Sequence, residues 1–363
     1  MKIKSLLKER VKLFYLIVSI LCISCTSCSK DNDLFGENGK KTTNLPGSIY
    51  WYFAGDVGYM EFASGKSSLN MMKMGPGSSF YDSYDISWDN KKVLLAMDAE
   101  GTYNFDERRF VLRDKNLKLD FSSLKQGNNI FDITYEWGDI KSTKACISPN
   151  EKYLALDAQH FSDMPVTIID AKTGNLVSNW QVPGVSFLNY GLPVWSEDNT
   201  LYFRIANSVY QSGPNDGYQS APKVFSLDGI SFVTVNPQGT KFVFRKNKHL
   251  WMCNIDGSDL KQITTSYTMD FIDYDGEKRP TFSPDGKYIA FTGAARRGTP
   301  WSDHDYPDGS WVSVTGGKFG YIVIIPADGK LYDLEDKNSG AIWLRKPGSN
   351  SQGVACSDHL IWR

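Results

Sequence analysis

The chain has 363 residues, 40 basic and 41 acidic, with 13% aromatic residues and 31 glycines. The balanced charge provides no basic field for nucleic acid and no acidic tail, so nucleic acid is not among the expected partners. Many turns and many rings point to an all-β protein, and this length would allow two domains or one long repeat ring.

The first residues carry Lys2, Lys4, Lys8 and Arg10 beside Glu9, and 13–23 is an apolar run too short to span a bilayer as a stable helix. Together they read as a signal peptide over residues 1–27, set aside from the fold. Cysteines follow at positions 22, 25 and 28, with Ser24 before Cys25 and Ser27 before Cys28. This arrangement resembles a lipobox, in which cleavage precedes a cysteine that then carries lipid. Cys28 is assigned because Ser29-Lys30-Asp31-Asn32-Asp33 follows it, a start similar to that of Bacteroidota surface lipoproteins. The resemblance implies palmitate-type chains and anchoring to the outer membrane, at the cell surface or on the periplasmic face. More than one acyl chain is expected, since a single chain binds only marginally. A plain signal peptide with incidental cysteines is the alternative. Residues 28–47 are polar and read as a flexible tether.

Beyond the tether, helical periodicity gives way to alternation and turn clusters. One segment recurs: Trp88-Asp89-Asn90-Lys91-Lys92-Val93, Ser148-Pro149-Asn150-Glu151-Lys152-Tyr153, Trp195-Ser196-Glu197-Asp198-Asn199-Thr200, and Asn236-Pro237-Gln238-Gly239-Thr240-Lys241. The clearest copy is Pro280 to Phe291, with Ser283-Pro284-Asp285-Gly286 at its turn, and the last is Cys356 to Trp362. Pro, Asp and Gly suit a tight reversal, and the apolar run after each turn suits a strand buried on both faces. A strand-turn-strand unit repeated every few tens of residues is the mark of a radial architecture.

These repeats resemble the TolB-type β-propeller blade. The match extends from Asn236 to Phe244 and on through Leu250 to Thr264, with an Asp256-Gly257 turn before the outer strand. The resemblance implies one domain over residues 48–363, a six-bladed propeller of four-stranded antiparallel blades; seven blades is the alternative. The last turn falls so late that its blade would lack two outer strands. The hairpin of 49–53 and 58–62 is expected to supply them, closing the ring and removing a sheet edge. Propellers of this type serve as scaffolds, sensors, binding modules and enzymes, so the resemblance does not name an activity.

Cys146 and Cys356 are expected in inner strands and Cys253 in a third strand, as buried small hydrophobes; a disulfide or a nucleophile is the alternative. Long segments at 125–141, 183–191, 265–278 and 295–318 belong to the end of the ring opposite the short turns, which makes that end the candidate working face. The segment 207–222 has no clear place.

The richest insertion holds Arg296, Arg297, Trp301, Asp303, His304, Asp305, Tyr306 and Trp311; Trp137, Tyr135, Tyr190, Tyr267 and Tyr274 come from other segments of that end. Rings that stack beside carboxylates and guanidinium groups suit a glycan, a peptide or a partner protein, although the same rings could simply pack the loop onto the ring. Asp303, Asp305, Asp308 and Gly309 only loosely follow a calcium loop, because Pro307 intrudes and no Glu closes it; Asp270, Asp273, Asp275 and Glu277 form a second acidic group. Calcium is thus the one metal to consider, and no cofactor is expected. His304 beside carboxylates could act as a general base, and paired carboxylates of a glycoside hydrolase or polysaccharide lyase leave no local motif. No nucleophile elbow, His-Glu-x-x-His helix or phosphate loop is present in the sequence. The preferred reading is a non-catalytic, lipid-anchored binding or scaffold module for a glycan, peptide or partner protein, and the lipoprotein resemblance alone suggests a place beside a nutrient uptake system.

Overall fold

In the computed structural model, five of the six recurring segments close the same turn. The structure describes residues 35–36, 45–53, 56–65, 67–73, 81–98, 107–114, 131–136, 143–158, 166–180, 191–266, 276–293, 301–305, 311–315, 320–336, 338–345, 353–356 and 359–363. The fourth turn residue lies in the left-handed region each time: Asn90 (φ 59), Glu151 (φ 57), Asn199 (φ 65), Gly239 (φ 66) and Gly286 (φ 71). The first residue, Ser87, Ser148, Ser196, Asn236 or Ser283, is buried and hydrogen-bonds within the turn. In the clearest copy the Ser283 hydroxyl donates to Asp285 at 2.7 Å and accepts the Tyr288 N–H at 2.9 Å. A side-chain oxygen thereby does the job of a backbone acceptor, which is why Ser and Asn start these turns.

Each turn joins the inner and second strands of one blade. The first blade is Tyr81–Ile86, Lys92–Asp98, Glu107–Asp114 and Phe131–Glu136; the second is Thr143–Ile147, Tyr153–Ala158, Val166–Asp170 and Leu176–Trp180. The third is Val194–Trp195, Leu201–Ile205, Ser208–Ser212 and Lys223–Ser226; the fourth is Ser231–Val235, Lys241–Lys246, His249–Asn254 and Lys261–Gln262. The fifth is Lys278–Phe282, Tyr288–Gly293 and Gly320–Pro326, with Ile342–Leu344 and Ala355–Cys356 both paired to the third strand. The sixth starts with Leu360–Trp362 and continues with Ser48–Phe53, Asp56–Glu61 and Ser67–Lys73. The protein is an all-β, six-bladed propeller.

Why the runs after each turn are apolar on both sides follows from the packing. Val93 and Leu95 pack toward the sixth blade, whereas Leu94 between them packs toward the second. Ile289 and Phe291 likewise join the cluster shared with the fourth blade, and Ala290 the cluster shared with the sixth. One cluster fills each blade-to-blade interface, so a strand in mid-blade must be hydrophobic at every position rather than at alternate ones.

The sixth blade corrects the sequence reading in two respects. Three strands come from the N-terminal side, not two. The segment from Cys356 to Leu360 is not a sixth copy of the turn: it leads from the outer part of the fifth blade to the inner strand of the sixth. Cys356 therefore sits in an outer strand, not an inner one. The place of the sixth turn is taken by a gap between Arg363 and Gly47, bridged by backbone hydrogen bonds between Ser48 and Arg363 in both directions.

Other segments differ too. Within the stretch read as a tether, Phe35–Gly36 pairs antiparallel with Leu344 and Trp343, and Leu45 is buried. Tyr135 belongs to the outer strand of the first blade rather than to a loop. The unplaced segment 207–222 holds the third strand of blade three and a short 3-10 turn, Pro214–Asp216, with Tyr218 buried behind it. Cys146, Cys253 and Cys356 are all buried thiols, and burial pushes the Cys253 thiol up to about 12, as suits a packing residue. Among the described residues no helix is long and apolar enough to cross a membrane.

Candidate functional site

Six inner strands surround the ring axis, and the space between them is a cavity of about 610 Å³ to which all six blades contribute. Each inner strand runs from the long-connection end toward the short turn. This direction gives the cavity two chemically different ends.

At the turn end, Asp85 is buried and accepts the N–H groups of Ile86 and Ile147, both at 2.8 Å. The Arg363 guanidinium lies 3.4 Å from the same carboxylate, donates to the Ile86 carbonyl at 2.9 Å and stacks 4.7 Å above the Trp88 ring. Burial raises the Asp85 carboxyl above its ordinary value, with Arg363 and the two backbone donors working against it. The Trp88 indole nitrogen is buried and has no hydrogen-bond partner among the described residues.

The long-connection end is lined by Arg204, Phe232, Arg279 and His359, one from each of four consecutive blades. Two of them are placed by the same device. The inner strand of the fourth blade shifts register between Ser231 and Thr234, and that of the fifth between Lys278 and Thr281. At these bulges Phe232 has φ 50 and Arg279 φ 55, conformations that side-chain-bearing residues adopt at about 1–3 kcal/mol. A bulge re-aims a side chain out of the ladder's alternation. Here the Arg279 guanidinium carbon lies 5.7 Å from the centre of the Phe232 ring, which remains 38% exposed. Arg204 donates to the Ala206 carbonyl at 2.6 Å and packs on Gly191, where an added Cβ would sit 3.1 Å from its Nε. The His359 ring stands edge-on to Tyr84, 5.3 Å between centres.

A further polar cluster lies where the fourth blade meets the fifth. Glu277 is completely buried and its carboxylate meets His249 Nδ1 and Thr264 Oγ1, both at 2.9 Å, and the Ser266 hydroxyl. Glu277 therefore fastens the connection between two blades.

The insertion singled out in the sequence is a β-ribbon between the second and third strands of the fifth blade, so it springs from the long-connection end. Trp301–Asp305 pairs with Trp311–Thr315, Asp305 opposite Trp311 and His304 opposite Val312. By the two-residue alternation, positions 301, 303, 305 and 311 share one side of the ribbon and position 304 falls on the other. The backbone at 303–305 is extended. Arg296, Arg297, Tyr306, Asp308, Gly309, Trp137, Tyr190, Tyr267, Asp270, Asp273, Tyr274 and Asp275 lie outside the described residues.

Arg204, Phe232, Arg279 and His359, which line the long-connection end of the cavity, were not singled out in the sequence. The inner strands themselves were legible from the turns that follow them. Which of their residues face the axis depends on bulges, and neither bulge is marked by a glycine.

No protein-family model and no curated protein matches the sequence. Among solved structures, a putative TolB from Agrobacterium tumefaciens is similar at 13% identity, over 88% of this chain and 99% of that one, with a TM-score of 0.47. TolB from Acinetobacter baumannii is similar at 13% identity over 87% and 82%, with a TM-score of 0.42. A Lactobacillus plantarum protein is similar at 11% identity over 85% and 98%, with a TM-score of 0.48.

Proposed function

We propose that this protein is a lipid-anchored binding or scaffold module of the outer membrane, held by Cys28 and presenting the long-connection end of its propeller to a ligand or partner. The observation that supports a binding role is the axial cavity, whose long-connection end draws one polar or aromatic group from each of four consecutive blades. A rigid ring with groups converging from separate strands is a common form of binding site, because the scaffold fixes the groups before the ligand arrives. The ribbon at 301–315 springs from the same end and would extend that surface outward.

The test has two parts. Cys28→Ala should move the protein from the membrane to the soluble fraction and abolish incorporation of labelled palmitate; continued incorporation in this variant, with loss in Cys25→Ala, would reassign the anchor. Crosslinking of the intact lipoprotein in membranes should then capture a ligand or partner through residues of the long-connection end. Capture exclusively through the short-turn end would refute the assignment of the working face.

A further inference from the structure

We infer that the outer rim of the propeller where blades four and five meet, at Leu260 and Leu331, rests on the lipid surface to which the chain is anchored. This inference rests on the Cys28 anchor of the proposed function and adds the side of the ring that meets the membrane.

The chain enters the ring at blade five. Phe35–Gly36 pairs antiparallel with Leu344 and Trp343, and so adds a strand to the outer edge of that blade. Leu45 then joins the buried cluster that holds Ile342 and Leu344. Cys28 and Phe35 are seven peptide steps apart. A chain gains at most about 3.6 Å per residue, so Phe35 lies within roughly 25 Å of the anchoring residue whatever path residues 29–34 take. In a six-bladed ring, blade five stands opposite blade two. The short link therefore makes the rim of blade five the membrane-proximal side and the rim of blade two the distal side.

The surface chemistry of that rim agrees. Large exposed hydrophobics among the described residues are Leu176, Phe232, Leu260 and Leu331, and of these Phe232 lines the axial cavity. Leu331 (59% exposed) lies between the third strand of blade five and Ile342–Leu344, and Leu260 (38%) precedes the outer strand of blade four. The two segments are joined. Thr264–Thr265 runs parallel to Tyr332–Asp333, and the Tyr332 N–H donates to the Ile263 carbonyl at 2.9 Å. A Cβ added at Gly329 would lie 3.8 Å from Lys261 Cδ. Beside the leucines, Lys261 pairs with Asp259 at 2.9 Å and Lys330 with Asp328 at 3.0 Å, and Asp333, Glu335 and Asp336 follow. No basic field therefore draws this rim to anionic lipid, and the attraction is apolar. Two leucines alone bind lipid weakly, but a short link supplies the effective concentration that makes weak contact sufficient. Standing on this rim, the ring turns the long-connection end of its cavity along the membrane, toward neighbours in the same surface.

Leu176, on the outer strand of blade two and equally exposed, provides the internal control. The cysteines of the ring, Cys146, Cys253 and Cys356, are buried, so Leu331→Cys, Leu260→Cys and Leu176→Cys each offer one accessible thiol on the ring for a fluorescent label. Full-length lipoprotein is added to the outside of phosphatidylcholine vesicles that contain a nitroxide-headgroup lipid. Labels at 331 and 260 should be quenched at least about threefold more than the label at 176, because only groups at the headgroup level meet the nitroxide. A label at Lys330→Cys then reports on the leucines themselves. Adding Leu331→Asp with Leu260→Asp should cut its quenching by about half at an unchanged melting temperature, which a rim merely held nearby by the link would not show.

Equal quenching at 331 and 176, or quenching at 330 that ignores the two aspartates in a folded protein, overturns the inference. Absence of quenching at all three leucine positions also overturns it. Incorporation of palmitate at Cys28 in the same preparation then decides separately whether the anchor reading survives.

Discussion

Asp85 and Arg363, 278 positions apart in the sequence, meet 3.4 Å from each other at the turn end of the axial cavity. Their contact ties the inner strand of the first blade to the residue that follows the inner strand closing the ring. The Asp85 carboxylate also holds the Ile147 N–H of the second blade. Asp85→Ala leaves the buried Ile86 and Ile147 N–H groups without this acceptor, so it should lose about 1–3 kcal/mol in urea unfolding. Because burial raises the Asp85 carboxyl, the folded state holds the proton more tightly than the unfolded chain does. The contribution of Asp85 to stability is therefore largest at low pH and is lost as pH rises from 3.8 through the raised folded value. Asp85→Asn should flatten that part of the stability–pH curve; an unchanged slope would show that another group carries it.

Gly47 is the tightest point of the closure. It has φ 69, and an added Cβ would lie 2.1 Å from the Arg363 carbonyl oxygen. Gly47→Ala should push the sixth blade apart and lower the melting temperature by several degrees. Deletion of residues 359–363 should go further, exposing the edge at Ser48–Phe53, abolishing the cooperative melt and promoting aggregation. A truncated protein that melts like the parent would refute the pairing.

The turns make a smaller and separable contribution. Ser283→Ala strips the Tyr288 N–H of its acceptor and should destabilise by about 1–2 kcal/mol. The neighbouring Asp285 is partly buried, which works to raise its carboxyl, yet hydrogen bonds from Ser283 and Lys287 outweigh this and hold it below the ordinary value. Its contribution is present above the ordinary value and is lost as pH falls through the folded one. Acid titration of the Ser283→Ala protein should accordingly show less loss below pH 3.8 than the parent.

The ribbon offers a test of the outer part of the working face. Replacing both Trp301 and Trp311 by alanine should weaken binding of a captured ligand at least about tenfold, since buried aromatic anchors commonly carry that much. The melting temperature should hold, because the ribbon lies outside the blade ladders. If the protein instead turns over a glycan, loss of Asp303, His304 or Asp305 should lower the turnover rate more than the affinity. Unchanged binding by the double variant would remove the ribbon from the site.

The parts legible in the sequence were those governed by local chemistry. A turn that needs a side-chain acceptor first and a left-handed residue fourth leaves a readable trace, and five copies gave the blades and their inner strands. Apolar runs such as Val93-Leu94-Leu95 were readable as doubly buried strands for the same local reason. The charged ends of the cavity were not readable, because Arg204, Phe232, Arg279 and His359 come together only when four blades are placed side by side. The aromatic insertion at 301–311 was readable because its residues are neighbours in sequence. The sixth turn was misread at Cys356 because the strand that follows it, Leu360–Trp362, has the expected apolar pattern while its partner strand lies at Ser48–Phe53.

The sheet shared by Leu360–Trp362 and Ser48–Phe53 also sets an order of events. The Trp362 indole donates to the Pro46 carbonyl at 2.7 Å, a contact between positions 316 residues apart, and loops of this length close slowly. A chain emerging from its N-terminus can complete five sheets from contiguous sequence while 48–73 waits with an unpaired edge. The ring then snaps shut only when residue 362 becomes available. Chaperones that act on the emerging chain should therefore find this waiting edge, and the rate of the final folding step should respond to changes at Ser48–Phe53 far more than to changes in any interior blade.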